Sequence, residues 1–210
     1  MTTQAAAVEA FNAVTLQRFC VKFFARPPTK IDDAKFIEIF HEWIRRQNLP
    51  GILIDVADYQ HVQDGPGILL VSHDANLYMD RAGSELGLLY QRKTEQTGTL
   101  AERILGALDV ALTACSLLQQ EMLLEGKLHF DGGRFCFIAN DRLLAPNDEA
   151  TATVLREDIT AAAARLYGGA ACDIEKINGD PRERLTIQVK ANLGPTDIET
   201  LLQNIRRKPH

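Results

Sequence analysis

The segment Gly51–Asp80, GILIDVADYQHVQDGPGILLVSHDANLYMD, decides how this chain is read. Gly51–Val56 and Ile68–Val71 are short, strongly apolar runs bounded by turn residues, the pattern of buried strands rather than of helices. The loop between them crowds Asp55, Asp58, His61 and Asp64 ahead of the turn Gly65-Pro66-Gly67, and His73 and Asp74 leave the second run. Ionisable side chains at the ends of buried strands are where sites are often built.

Upstream, Leu16–Ala25 alternates Phe19, Val21 and Phe23 with Cys20, Lys22 and Phe24, which predicts a strand ended by Arg26-Pro27-Pro28. Asp32 or Asp33 then caps a helix in which Phe36, Ile37, Phe40, Trp43 and Ile44 share one stripe. Downstream of Leu77-Tyr78, Asp80–Ser84 reads as a turn into a weaker strand, Glu85–Arg92. Thr99–Leu123 is the longest helix, with Leu100, Ile104, Leu108, Leu112, Cys115, Leu118 and Met122 at spacings of three or four. Its apolar content predicts burial between two halves of the chain or in a subunit interface.

Lys127–Phe130 and Arg134–Ala139 flank Asp131-Gly132-Gly133 as an expected hairpin. A polar loop, Asn140–Glu149, leads to a helix opened by Thr151 or Thr153 that buries Val154, Leu155, Ile159, Ala162, Ala163 and Leu166 and ends at Gly168-Gly169. Ala171–Ile177 and Arg184–Lys190 form a second expected hairpin across Asn178-Gly179-Asp180, and Pro195–Ile205 offers a final helix.

RFCVKFF from Arg18 and RFCFIAN from Arg134 open units of the same order, and Asp55 and Asp173 repeat at nearly the same offset. The expected fold is α+β: two related strand-helix-strand-strand units, residues 16–98 and 126–210, forming a mainly antiparallel sheet, with a long central helix over 99–125. Residues 1–15 are expected to be a flexible N-terminal segment, and the two units to pack as one domain.

Composition narrows the function classes. The 210 residues are 46% hydrophobic and 24% charged, enough for a sizeable core, and the net charge of −5 gives no support to nucleic-acid binding. The N-terminus lacks the basic and apolar regions of a secretory signal, and no apolar run approaches the roughly 20 residues of a spanning helix, so no membrane partner is expected. Cys20, Cys115, Cys136 and Cys172 are scattered among apolar neighbours without a CxxC pair, as in a reduced cytoplasmic protein.

Within the acidic and histidine cluster, Asp55, Asp58, His61, His73 and Asp74 admit three readings: turn formation and capping, a binding or catalytic pocket, or a metal site. Capping carries most weight for each residue alone, and no established ligand spacing such as HExxH is present, so neither a metal nor a cofactor is assigned. Asp64, Gly65 and Gly67 surround a proline turn whose amides could nest an anion, though a hairpin turn is the simpler role. Asn140, Asp141 and Arg142 leave a strand together, and Arg142 could clamp an anion or order its own loop. No GxSxG elbow is present, and Ser72 projects away from His73 on a strand.

Val21–Ala25, Phe36–Ile44, LIDVADYQHVQDGPGILLVSHDANLYMD and NDRLLAPN resemble a family of uncharacterised bacterial proteins of about this length. The likeness runs along most of the chain and departs at Ser72 and Asp74, where the family pattern has glycine and glutamate. It implies a bacterial, single-chain protein and transfers no activity. The sequence thus favours a non-enzymatic binding or interaction module, a homodimer with a small-molecule or protein partner. The rival is an enzyme using His61 or His73 as base with Asp55 or Asp58 orienting it. Nucleic-acid binding by a saddle-shaped sheet is disfavoured by acidity.

Overall fold

A computed structural model describes residues 16–27, 30–62, 65–177, 179–194 and 196–207. The N-terminal segment 1–15, Asp64 and Asn178 lie outside these residues. In chain order the elements are β1 (Phe19–Ala25), α1 (Ala34–Arg46), β2 (Leu53–Asp58), β3 (Ile68–Ser72), β4 (Ala75–Asp80), β5 (Gly87–Arg92), α2 (Leu100–Gln120), β6 (Phe130–Ala139), α3 (Glu149–Leu166), β7 (Cys172–Lys176), β8 (Thr186–Ala191) and α4 (Ile198–Arg206). The strands form one sheet in the order β2-β3-β4-β5-β1-β6-β8-β7, every neighbouring pair antiparallel. The architecture is α+β.

β1 and β6 sit at the centre and join the two halves into one sheet. Phe19, Val21 and Phe23 face the core, where Phe19 stacks on Phe137 at 5.3 Å and Phe23 meets Phe135 in a tilted pair at 5.9 Å between ring centroids. The four described α-helices cover this face: α1 lies against β2 and β3, α2 against β1 and β5, α3 against β7, and α4 against β6. α2 also packs on α3 and α4, so its apolar residues are buried within the chain and need no subunit interface. Thr99 and Glu102 close a reciprocal capping box at its start. In α1 the cap comes from Asp32, whose carboxylate accepts from the Ala34 amide at 3.0 Å. No described helix is long and apolar enough to cross a membrane.

Several local expectations are corrected. Gly51–Val56 is not a buried strand: β2 is a sheet edge, and Ile52 and Ile54 are 64% and 54% exposed. A β-bulge between Leu53 and Asp55 shifts the alternation, so Leu53 and Val56 both meet the core while Ile54 faces out. Asn76–Asp80 belongs to a full strand, β4. Asp131-Gly132-Gly133 makes no hairpin but a bulge within the continuous β6, since Ala25 pairs with Phe130 while Phe23 pairs with Phe135. Gly132 is required there because a Cβ would stand 2.4 Å from the Thr196 carbonyl oxygen. α3 is capped by Asp148, which accepts from the Thr151 amide at 2.8 Å, rather than by Thr151 or Thr153, and Val154 is exposed.

The halves are unequal: four strands follow α1, two follow α3. Asp55 and Asp173 do not occupy matching places, because β2 is fourth outward from β1 whereas β7 is second outward from β6.

Candidate functional site

With every described helix on one side, the opposite face of the sheet carries the alternate residues of each strand. Register places Lys22 between Leu89 and Cys136, and Cys20 between Gln91 and Ile138. Tyr78 lies opposite Leu89, and Asn76 opposite Gln91. Cys20, Phe24, Leu89, Cys136 and Ile138 form a second apolar cluster with Tyr78 against it, separate from the helix-covered core.

A cavity of about 310 Å³ opens on this face, lined by Cys20, Gly65, Pro66, Tyr78, Asp80, Ala82, Leu89, Gln91 and Arg184. β1, β4 and β5 supply its floor. Gly65-Pro66 and Ala82 enter from loops, and Arg184 from the residues before β8. Its volume falls at the lower end of the range for small-molecule sites, which combine an apolar lining with a few placed polar groups.

The polar groups are mostly engaged with one another. Asn76 Nδ2 donates to the Tyr78 hydroxyl at 3.1 Å, and that hydroxyl donates to Gln91 Oε1. Asn76 Oδ1 is buried with no hydrogen-bond partner among the described residues. Lys22, only 4% exposed, donates to Asp80 Oδ2 at 2.5 Å, the Glu85 carbonyl at 3.0 Å and the Ala82 carbonyl at 3.4 Å, so the Asp80 carboxylate is neutralised inside the fold. Burial pushes the Cys20 thiol up to about 12 and also raises the Tyr78 phenol, so both stay protonated at neutral pH. Arg184 is exposed at the rim, held by Nη1 donating to Asn140 Oδ1 at 3.1 Å. The lining therefore has a hydrogen-bonding floor and one cation, with its carboxylate ion-paired and its thiol protonated. That set suits binding better than proton transfer.

The residues expected from sequence do not gather into one site. In the β2–β3 hairpin Asp58 lies opposite Ile68 and Asp55 opposite Val71. His73 lies five residues past Ile68, about 17 Å along the strand from the Asp58 end at roughly 3.4 Å per residue. Asp55, Asp58, His61 and His73 are all exposed. Asp55 accepts from the Val56 amide at 2.8 Å, Asp58 from the Gln60 amide at 2.9 Å, and His61 stacks on Tyr59 with centroids 6.5 Å apart. These are capping roles, and the geometry gives the histidine–carboxylate enzyme reading no shared cleft.

His73 Nδ1 and Asp74 Oδ1 are 2.9 Å apart, a contact that lowers the Asp74 pKa. Asp74 borders a pocket of only about 80 Å³ with Gly51, Tyr90 and Arg92. Gly65 lines the 310 Å³ cavity and Gly67 a neighbouring one of about 290 Å³ with Asp33, Tyr59 and Arg81. Gly67 is in the left-handed region at φ +70°, with the Met79 carbonyl 2.3 Å from where a Cβ would stand. Arg142 Nη1 donates to the Arg182 carbonyl at 2.7 Å, and Asp141 accepts from the Leu144 amide at 3.1 Å, so both order their loop. Asn140 alone of that trio reaches the cavity margin, through Arg184.

Cys20, Lys22, Tyr78, Asp80, Gln91 and Arg184 were not singled out by the sequence reading as site residues. Two signals were present: Asn76, Tyr78 and Asp80 alternate with Ala75, Leu77 and Met79, and Lys22 interrupts an apolar strand. Among the described residues no group of three or more His, Cys, Asp or Glu side chains is placed to hold a metal ion. Asp173 and Glu175 flank Lys190 and Gln188 on the same sheet face, interrupting any basic stripe there. No family model, curated protein or solved structure matches the chain.

Proposed function

We propose that the chain is a non-catalytic binding module that holds a small amphipathic molecule on the face of its sheet opposite the described helices, in the cavity between Tyr78, Leu89, Cys20 and Arg184. The observation that carries this reading is the composition of the lining: apolar side chains, a Tyr78–Gln91 hydrogen bond and a single rim cation. An apolar body would rest on Leu89, Cys20 and Pro66, and an anionic end would meet Arg184. Membership of a bacterial family of about this length remains part of the proposal and adds no activity.

The test is native mass spectrometry of protein purified from its own host, together with fluorescence titration using 1-anilinonaphthalene-8-sulfonate, an aromatic anion. A retained mass, or saturable one-site enhancement weakened about tenfold in Arg184→Ala, is expected from loss of one charge-assisted hydrogen bond. A bare mass together with no saturable dye binding defeats the reading.

A second reading, self-association, is favoured by the exposed Ile52, Ile54, Tyr59 and Val62 along and just beyond β2. A dimer by light scattering that becomes monomeric in Ile54→Lys supports it; a wild-type monomer at high concentration rejects it.

A further inference from the structure

Sheet register gives the cavity at Tyr78 and Arg184 a polar direction. Asn76, Gln91 and Cys20 stand in one row across β4, β5 and β1; Tyr78, Leu89 and Lys22 form the next, and Asp80 lies in the third opposite Gly87. The first and third rows are four residues apart along β4, about 14 Å at roughly 3.4 Å per residue, with Leu89 between them. At the first row Asn76 Nδ2 donates to the Tyr78 hydroxyl at 3.1 Å, and that hydroxyl donates to Gln91 Oε1. The relay runs this way because its reverse would bury the two N–H bonds of the Asn76 amide where one carbonyl oxygen is now buried. It leaves Gln91 Nε2 as a donor with no acceptor among the described residues, on a side chain that lines the cavity. Arg184 precedes Thr186, which joins that same row through Ile138 and Cys20. Its Nη1 rests on the neutral Asn140 Oδ1, and it has no ion pair among the described residues. At the third row Asp80 Oδ2 takes Lys22, while Oδ1 has no donor among the described residues.

We infer that the cavity takes an apolar carboxylate with a hydroxyl at its far end, an inference that rests on the cavity being a binding site. The carboxylate accepts from Gln91 Nε2 and from the Arg184 guanidinium, whose planar fork matches two oxygens at once. The apolar middle lies along Leu89 and Pro66, and the hydroxyl donates to Asp80 Oδ1. An ammonium at the Gln91 end would meet two donors and a like charge, with the protonated Cys20 thiol supplying no anion. The reversed pose would set the carboxylate against the Asp80 carboxylate, acceptor against acceptor. Both the class of molecule and its direction therefore follow from which end donates and which accepts.

An amide-resolved NMR titration of the full chain compares para-hydroxyphenylpropionate, phenylpropionate and tyramine at constant ionic strength. Saturable shifts at Cys20, Tyr78, Leu89 and Gln91 are expected for the hydroxy acid. Phenylpropionate, which lacks the hydroxyl, is expected to bind about tenfold more weakly, and tyramine to give no saturable shifts there. Gln91→Glu keeps an acceptor for Tyr78 and turns the open donor into a second acceptor, so the hydroxy acid should weaken about tenfold or more. The order of the three probes on the wild-type chain is a test that needs no variant to fold. No saturable shift from the hydroxy acid, or unchanged affinity in a folded Gln91→Glu, overturns the inference. Tyramine binding as tightly overturns the carboxylate assignment, and phenylpropionate binding as tightly overturns the hydroxyl assignment. Such a failure alongside one-site dye binding that weakens in Arg184→Ala refutes only the polarity; failure of both refutes the binding site itself.

Discussion

Replacing Lys22 with methionine keeps the length of the side chain and removes its charge. In the folded protein that ammonium is 4% exposed and serves three acceptors: Asp80 Oδ2 at 2.5 Å, the Glu85 carbonyl at 3.0 Å and the Ala82 carbonyl at 3.4 Å. Asp80 is itself only 8% exposed. The variant therefore strands a carboxylate that water barely reaches, together with two carbonyls in the turn between β4 and β5. Breaking one side of such a pair costs about 3–5 kcal/mol, several times the value of a surface ion pair. Replacing both partners, Lys22→Met with Asp80→Leu, removes the orphaned charge and is expected to recover most of that loss. Urea unfolding of wild type, both single variants and the double variant completes the cycle, and a coupling above about 2 kcal/mol is expected. If Lys22→Met costs no more than about 1 kcal/mol, the surface-pair value, the reasoning that this pair is a desolvated strut beneath the cavity fails.

Gly67→Ala forces an L side chain into φ +70° with its Cβ 2.3 Å from the Met79 carbonyl, and is expected to cost about 2 kcal/mol or more in thermal or urea unfolding. Hydrogen bonds from the Thr151 amide lower the Asp148 pKa, so its stabilisation is complete above the ordinary carboxylate value and is lost as pH falls through the depressed folded value. Asp148→Asn keeps a good N-cap without titrating, so its unfolding free energy should fall less steeply than wild type between about pH 5 and 2, measured by urea titration. Asp55→Ala frees the Val56 amide on the outer edge of β2, and concentration-dependent association by light scattering is expected to increase.

What the sequence made legible were features governed by local period and punctuation. The Phe19–Phe23 alternation, the Phe36–Ile44 stripe and the apolar face from Leu100 to Leu118 each specify one element that stands where expected, whereas the expected continuation to Leu123 fails: α2 ends at Gln120 and Met122 is exposed. Bulges defeated the same logic. One extra residue between Leu53 and Asp55 turns Ile54 outward, and the glycines at 132 and 133 read as a turn because a glycine required by close backbone approach has the same letter as one required by a turn. The candidate cluster failed for a different reason. Asp58 and His73 are close in sequence, but an antiparallel hairpin separates its two ends by its own length, and only the register reveals which ends meet.

The pairs that build the cavity are longer-range still. Lys22 meets Asp80, Cys20 meets Gln91, and Arg184 meets Asn140, contacts created when β4 and β5 line up beside β1 and β8 pairs with β6. An antiparallel sheet with helices on one side is expected to turn a plainly polar face to water. This sheet instead keeps Cys20, Phe24, Leu89, Cys136 and Ile138 each below 10% exposure with no described helix above them. Part of their cover is identifiable: Arg134 lies over Phe24, and Tyr78 packs against the cluster. Core formation does not require that arrangement, because the helix-covered side already forms a separate and larger core. A second apolar layer overlaid by polar and cationic side chains departs from the local rule where a binding surface would, and that departure is the reason to look for the ligand on this face.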